Sequence, residues 1–133
     1  MTYLLDTDTC IYWMKNCYEI REKVRQIGWD KISICVITAA ELYYGAYNSS
    51  RVTENLIRAE FFIQQLPVLP LTDQTLRRFG ELKSQLRRIG QTIADFDLMI
   101  ASVAFTEGKI VVTNNTRHYD RIPGLQLENW VFP

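Results

Sequence analysis

The 133-residue sequence predicts an α/β fold, with helices layered on a mainly parallel β-sheet. Three observations carry that prediction. Short apolar runs alternate with helical patterns along the whole chain. Each of the first four apolar runs is followed by turn or cap residues and then a helical stretch, the crossover that parallel strands require. Hydrophobic residues make up 47% of the chain, with no repeat, linker or low-complexity tract, so a single domain over residues 1–133 is expected.

The strand candidates, in order, are Tyr3–Leu5, Ile32–Ile37, Val68–Leu71 and Lys109–Val112, with an edge strand at Gln126–Glu128. The helix candidates are Thr9–Lys15, Glu19–Ile27, Ala39–Ala46, Arg51–Gln65, Asp73–Ile89 and Phe96–Glu107. Gly90 reads as the stop after Ile89, because glycine tolerates the left-handed conformation there. The Arg51–Gln65 helix is apolar on two sides: Leu56, Ala59, Ile63 and Leu66 form one stripe, and Ile57 and Phe61 form another. Burial between two neighbours and a partner surface both account for that pattern. In Asp73–Ile89, Phe79, Leu82, Leu86 and Ile89 share one face, while Arg77, Arg78 and Arg88 lie opposite and Lys83 and Arg87 flank them. That basic side is either a solvated face or a surface that tracks phosphates.

Composition narrows the function. Fifteen basic and fifteen acidic residues give zero formal charge, which argues against a strongly cationic, non-specific nucleic-acid binder. No apolar run approaches the ~20 residues of a membrane helix. No secretory signal pattern opens the chain. Cys10, Cys17 and Cys35 are odd in number and lack C-x-x-C spacing, which fits a reducing cytoplasm and not a disulfide or zinc framework.

Three acids recur in one setting. Asp6 ends the first strand, in "LLDTDT"; Glu41 follows the second, in "VITAAEL"; Asp97 lies in the first turn of the last long helix, in "IADFDLMIA". Ligands of open parallel sheets bind outside the carboxyl ends of the strands. Asp97 shares a register with Ile100, Ala101 and Ala104, so it projects from the packed face of its helix. Each acid also has an ordinary structural account. Thr38 to Glu41 has the form of a capping box. Asp8 and Asp95 read as helix caps, with Asp97 a first-turn acid favoured by the helix dipole. Taken together, converging carboxylates repel one another and persist most naturally around a divalent cation. Oxygen-only donors point to Mg²⁺ or Mn²⁺, and such an ion suits phosphodiester hydrolysis without a covalent protein intermediate. Thr113, Asn114 and Asn115 sit where a fourth loop meets the same edge and can position water or phosphate; an Asn-rich turn accounts for them equally. His118 is the lone histidine, with no G-x-S-x-G nucleophile to serve.

The blocks "YLLDTDTCIYWMK", "ITAAELYYGA", "IGQTIADFDLMIASVA" and "VVTNNTRHYDRIPGLQLENW" together resemble, in order and over almost the full length, the PIN-domain ribonucleases, and among them the VapC-type toxins of toxin–antitoxin pairs. The resemblance implies an α/β/α sandwich around about five mainly parallel strands. It implies a Mg²⁺- or Mn²⁺-dependent endoribonuclease, a homodimer inhibited by a small antitoxin, and in some cases a larger toxin–antitoxin assembly. It places the family's acids on Asp6, Glu41 and Asp97, as both catalytic residues and metal ligands, with Thr7, Thr113 and Asn115 positioning water or phosphate. The chain departs from the pattern at the fourth acid. His118 stands where close relatives carry Glu, Asn115 stands at the other fourth-acid place, and Asp120 is out of register. One firmly held metal is therefore expected, with a second arriving with RNA.

Two alternatives remain at this point. A HAD-type phosphohydrolase would use Asp6 as nucleophile in D-x-D, but Cys10 breaks its opening motif and no Lys or acidic pair follows Thr113. A PIN-like module that binds RNA or protein without cutting would leave the acids as caps and charge partners.

Overall fold

The computed structural model describes residues 1–131 and has the expected α/β architecture. The elements run β1 (Tyr3–Leu5), α1 (Thr7–Met14), α2 (Tyr18–Ile27), a short 3₁₀ turn (Trp29–Lys31), β2 (Ile32–Cys35), α3 (Val36–Tyr47), α4 (Val52–Gln64), β3 (Val68–Leu69), α5 (Asp73–Arg88), α6 (Asp95–Glu107), β4 (Ile110–Val112), α7 (Thr116–Tyr119) and β5 (Leu127–Glu128). All strand pairs are parallel, in the order β3-β2-β1-β4-β5.

Alternation along β1 builds two cores. Tyr3 and Leu5 point to one face of the sheet, where they join Ile32, Ile34, Ile110 and Val112 against Trp13, Ile20, Val24 and Leu42. Leu4 points to the other face and packs with Val111 against Leu82, Leu86, Leu98 and Ala101. Helices thus cover both faces, and the result is an α/β/α sandwich. Leu4 is fully buried on the central strand. Leu4→Ala is expected to cost about 2–5 kcal/mol, read as a shifted midpoint in urea unfolding.

Three boundaries differ from the sequence expectation in ways that matter for the site. Helix α1 begins at Thr7, not Thr9, and its N-cap is Asp6, so Asp8 is a first-turn residue and not the cap. The run Ile32–Ile37 is strand only to Cys35, and Val36 already opens α3. A short buried β-branched run suits either state, so periodicity could not place that boundary. Glu41 is therefore the sixth helical residue, and no T-x-x-E capping box exists at this helix start, where Cys35 is the N-cap without a side-chain cap bond. Helix α6 begins at Asp95 with Ala94 as N-cap, so Asp95 is not a cap either. The Asn-rich segment also carries the short helix α7, where a turn was expected. Gly90 takes φ 70° after α5, and the Gln91 N–H closes back on the Leu86 carbonyl at 2.9 Å, as a helix stop should.

Candidate active site

The strand order reverses direction of growth between β1 and β4, which makes that crevice the topological switch point of the sheet. Asp6 sits there. Its N–H donates to the Val112 carbonyl at 3.0 Å, continuing the β1–β4 ladder by one bond. Its Oδ1 accepts the Thr9 N–H at 2.9 Å, capping α1. The Thr9 hydroxyl donates to the same Val112 carbonyl at 3.1 Å, so cap and sheet lock together. Asp6 is thus both cap and buried acid at only 4% exposure. Burial pushes its carboxyl up to about 6; hydrogen bonds from Thr113 and Thr9 pull the other way, and the Asp8 charge adds to the rise.

Glu41 reaches the same region from α3. The Thr7 hydroxyl donates to Glu41 Oε1 and lies 3.5 Å from the Thr38 hydroxyl. Desolvation raises the Glu41 carboxyl, opposed by the Thr7 bond and reinforced by the charges of Asp97 and Asp8. Asp97 arrives from the first turn of α6. Desolvation raises it as well, while His118 and Tyr119 favour its charged form and the Asp8 charge opposes it. His118 Nδ1 stands 3.7 Å from Asp97 Oδ2, an ion pair when the ring is protonated. The Tyr119 hydroxyl, at the end of a fully buried ring, lies 3.5 Å from Asp97 Oδ1.

The structure therefore brings Asp6, Glu41 and Asp97 within one electrostatic field at the carboxyl ends of the strands. Thr7 and Thr113 belong to that group as supports of Glu41 and Asp6. Buried Thr113 also accepts the Asn115 N–H at 2.8 Å, which shapes the loop after β4. The Asn115 side-chain amide lies 2.9 Å from His118 Nδ1, so it orients the ring that faces Asp97. Asp95 lies outside the group, paired with Lys83 at 2.9 Å on the exposed side of α6.

Sequence reasoning missed two participants. Asp8 is exposed, yet its charge is felt by all three acids. The D-x-D spacing was the available signal, obscured by assigning the cap to the wrong aspartate. Tyr119 carried no signal, because the expected turn gave no reason to aim its hydroxyl at α6.

Among the described residues, no three His, Cys, Asp or Glu side chains are gathered at ligating distance. Burial raises the proton affinity of each of the three acids, and the Asp97 charge adds to it at Glu41. That donor chemistry fits a hard divalent cation that keeps several waters and takes few direct carboxylates, as Mg²⁺ does.

A parallel sandwich with acids at its switch point is a nuclease-compatible α/β class, and the PIN domain model matches residues 3–125; the chain belongs to that family. Within it, the chain is 40% identical over 131 residues to the tRNA(fMet)-specific endonuclease VapC of Salmonella typhimurium, covering 98% of each. The DNA-bound VapBC structure from Salmonella typhimurium superposes with a TM-score of 0.92 at 39% identity, covering 98% of each chain. VapBC2 of Rickettsia felis, bound to a promoter DNA fragment, gives 0.91 at 33% identity over 98% of this chain and 99% of that one. Family membership removes the HAD-type alternative.

Proposed function

We propose that this protein is a divalent-metal-dependent endoribonuclease toxin that cleaves tRNA, with initiator tRNA(fMet) the first candidate, and is restrained by an antitoxin. The reading is supported by Asp6 at the end of β1, Glu41 on α3 and Asp97 in the first turn of α6, all at the carboxyl ends of the strands of a PIN fold. Similarity at 40% identity over nearly the full length to a tRNA(fMet)-specific endonuclease supports the substrate. Relatives solved as VapBC complexes support the partner. An apolar groove of about 410 Å³, lined by Trp13, Trp29, Ile57, Phe61 and Phe62 among others, offers that partner a seat. No helix among the described residues is long and apolar enough to cross a membrane.

Asp6, Glu41 and Asp97 are the residues to hold Mg²⁺ or Mn²⁺, directly or through water. When bound, the ion supplies charge neutralisation at the scissile phosphate and lowers the pKa of a water. The protein's own groups do the rest. Thr9 and Thr113 fix one rotamer of Asp6, and Thr7 fixes Glu41, so the acids are pre-oriented. Glu41 and Asp97, half-buried at the same edge, can orient a water by accepting its hydrogen bonds. His118 and Tyr119 hold Asp97 in place. The non-cutting alternative is tested by the same experiment: purified toxin, a tRNA(fMet) transcript, and Mg²⁺ or Mn²⁺ against a chelator. Asp97→Asn is expected to lose cleavage by about 10²-fold or more. Asp95→Asn, whose carboxylate only pairs with Lys83, is expected to stay within about threefold of wild type, in line with the small worth of exposed pairs. Equal loss in both variants sinks the assignment of the site.

A further inference from the structure

A cluster of acids repels RNA, so a neutral protein that cuts RNA must place uncompensated cations beside it. The basic side of α5 is the obvious candidate by sequence, yet much of it is neutralised. Arg77 pairs with Asp73 at 2.8 Å, Arg78 with Glu81 at 2.8 Å and Lys83 with Asp95 at 2.9 Å. Only the C-terminal end, Arg87 and Arg88, has no ion pair among the described residues. Two further exposed cations without a carboxylate partner come from another part of the chain. Arg117, in α7, and Arg121, in the turn that follows it, are both exposed.

The Arg121 guanidinium donates to the Thr92 carbonyl at 2.7 Å, which fastens it to the loop between α5 and α6. Arg87 borders the same loop from the other side, in a hollow of about 110 Å³ lined with Thr92, Ile93 and Leu98. Leu98 directly follows Asp97, and Arg117 directly precedes His118, which faces Asp97. Arg87 and Arg121 therefore meet at Thr92 of the loop that leads into α6, the helix whose first turn carries Asp97, and Arg117 adjoins His118 in the chain. Other cations suit phosphates less well: Lys15 and Arg58 line a groove dominated by Ile11, Met14, Leu42 and Ala46.

We propose that the RNA strand leaving the acidic site crosses the α5–α6 loop and that Arg87, Arg117 and Arg121 hold its phosphates as positioning residues. This rests on the endoribonuclease reading. The test measures binding of a tRNA(fMet) transcript to the cleavage-silent Asp6→Asn protein across a salt series, and steady-state cleavage in the Asp6 background. Arg87→Gln with Arg121→Gln is expected to flatten the slope of log K against log salt by about 0.7–0.9 per lost contact. In the cleaving protein, KM is expected to rise by about tenfold with kcat within threefold. Arg121→Lys, which keeps the charge, should restore most of the slope. Arg77→Gln, on the neutralised part of α5, should leave slope and KM unchanged. Unchanged slope and KM in the Arg87/Arg121 pair, with Tm intact, overturn the proposed path. A wild-type protein that binds the transcript with a normal slope but never cuts it overturns the nuclease reading, and with it the assignment of these arginines to a strand leaving a cleavage site.

Discussion

Asp6→Asn is expected to remove RNA cleavage, by about 10²–10³-fold in kcat, while leaving the metal-free protein at least as stable as wild type. The two halves of that result have separate causes. Activity falls because the charge that would hold the cation is gone. Stability survives because asparagine is as good an N-cap as aspartate and still accepts the Thr9 N–H from its carbonyl oxygen. Removing the charge also relieves the desolvation that raises this carboxyl, and the repulsion from Asp8. Asp6→Ala differs: it leaves the Thr9 amide without its cap and should cost about 1 kcal/mol or more. A thermal melt of both variants in chelator, beside a cleavage assay, separates the roles. Loss of stability in Asp6→Asn equal to that in Asp6→Ala contradicts this account.

Metal-free wild-type protein should lose stability as pH rises from about 4 to about 6. An unfolded aspartate gives up its proton near 3.8, whereas folded Asp6 keeps it to about 6. In that window the native state binds more protons, so the slope of unfolding free energy with pH is negative. The contribution is fully present below pH 4 and is lost through pH 6, about 3 kcal/mol for Asp6 alone. Glu41 and Asp97 are raised too and act with the same sign. Glu22, lowered by its bond to Arg25, acts oppositely, but it is an exposed pair of little consequence. Urea titrations from pH 4 to 8 should show the fall in wild type and a flatter profile in Asp6→Asn. Adding Mg²⁺ at pH 7.5 should recover stability in wild type alone, since a ligand of the folded state stabilises by mass action. A wild-type curve parallel to that of Asp6→Asn would falsify the buried-charge account.

Much of this was legible before folding was considered. Periodicity located every strand and six of the seven α-helices among the described residues, because short apolar runs between helical stretches leave few other packings. The three acids stood out by their positions after strands and at helix starts. The boundaries were less legible. Val36 and Ile37 suit a buried strand or a buried helix turn equally well, so Glu41 was read as part of a capping box that does not exist. In "DTDT", either aspartate can cap a helix, and local chemistry does not say which.

The sequence by itself determined the α/β class and the family pattern and singled out Asp6, Glu41 and Asp97 as candidates, because hydrophobic period and residue type are local properties. The tertiary structure alone decided the rest. The β1–β4 ladder made Asp6 the buried cap and left Asp8 outside as a charge on the site. Packing of α7 beneath α6 brought His118 and Tyr119 to Asp97. Pairing across α5 and α6 silenced Lys83, while Arg121 was carried to the Thr92 loop. Burial and charge pairing are sums over neighbours far apart in the chain, and only the folded molecule sets those neighbours side by side.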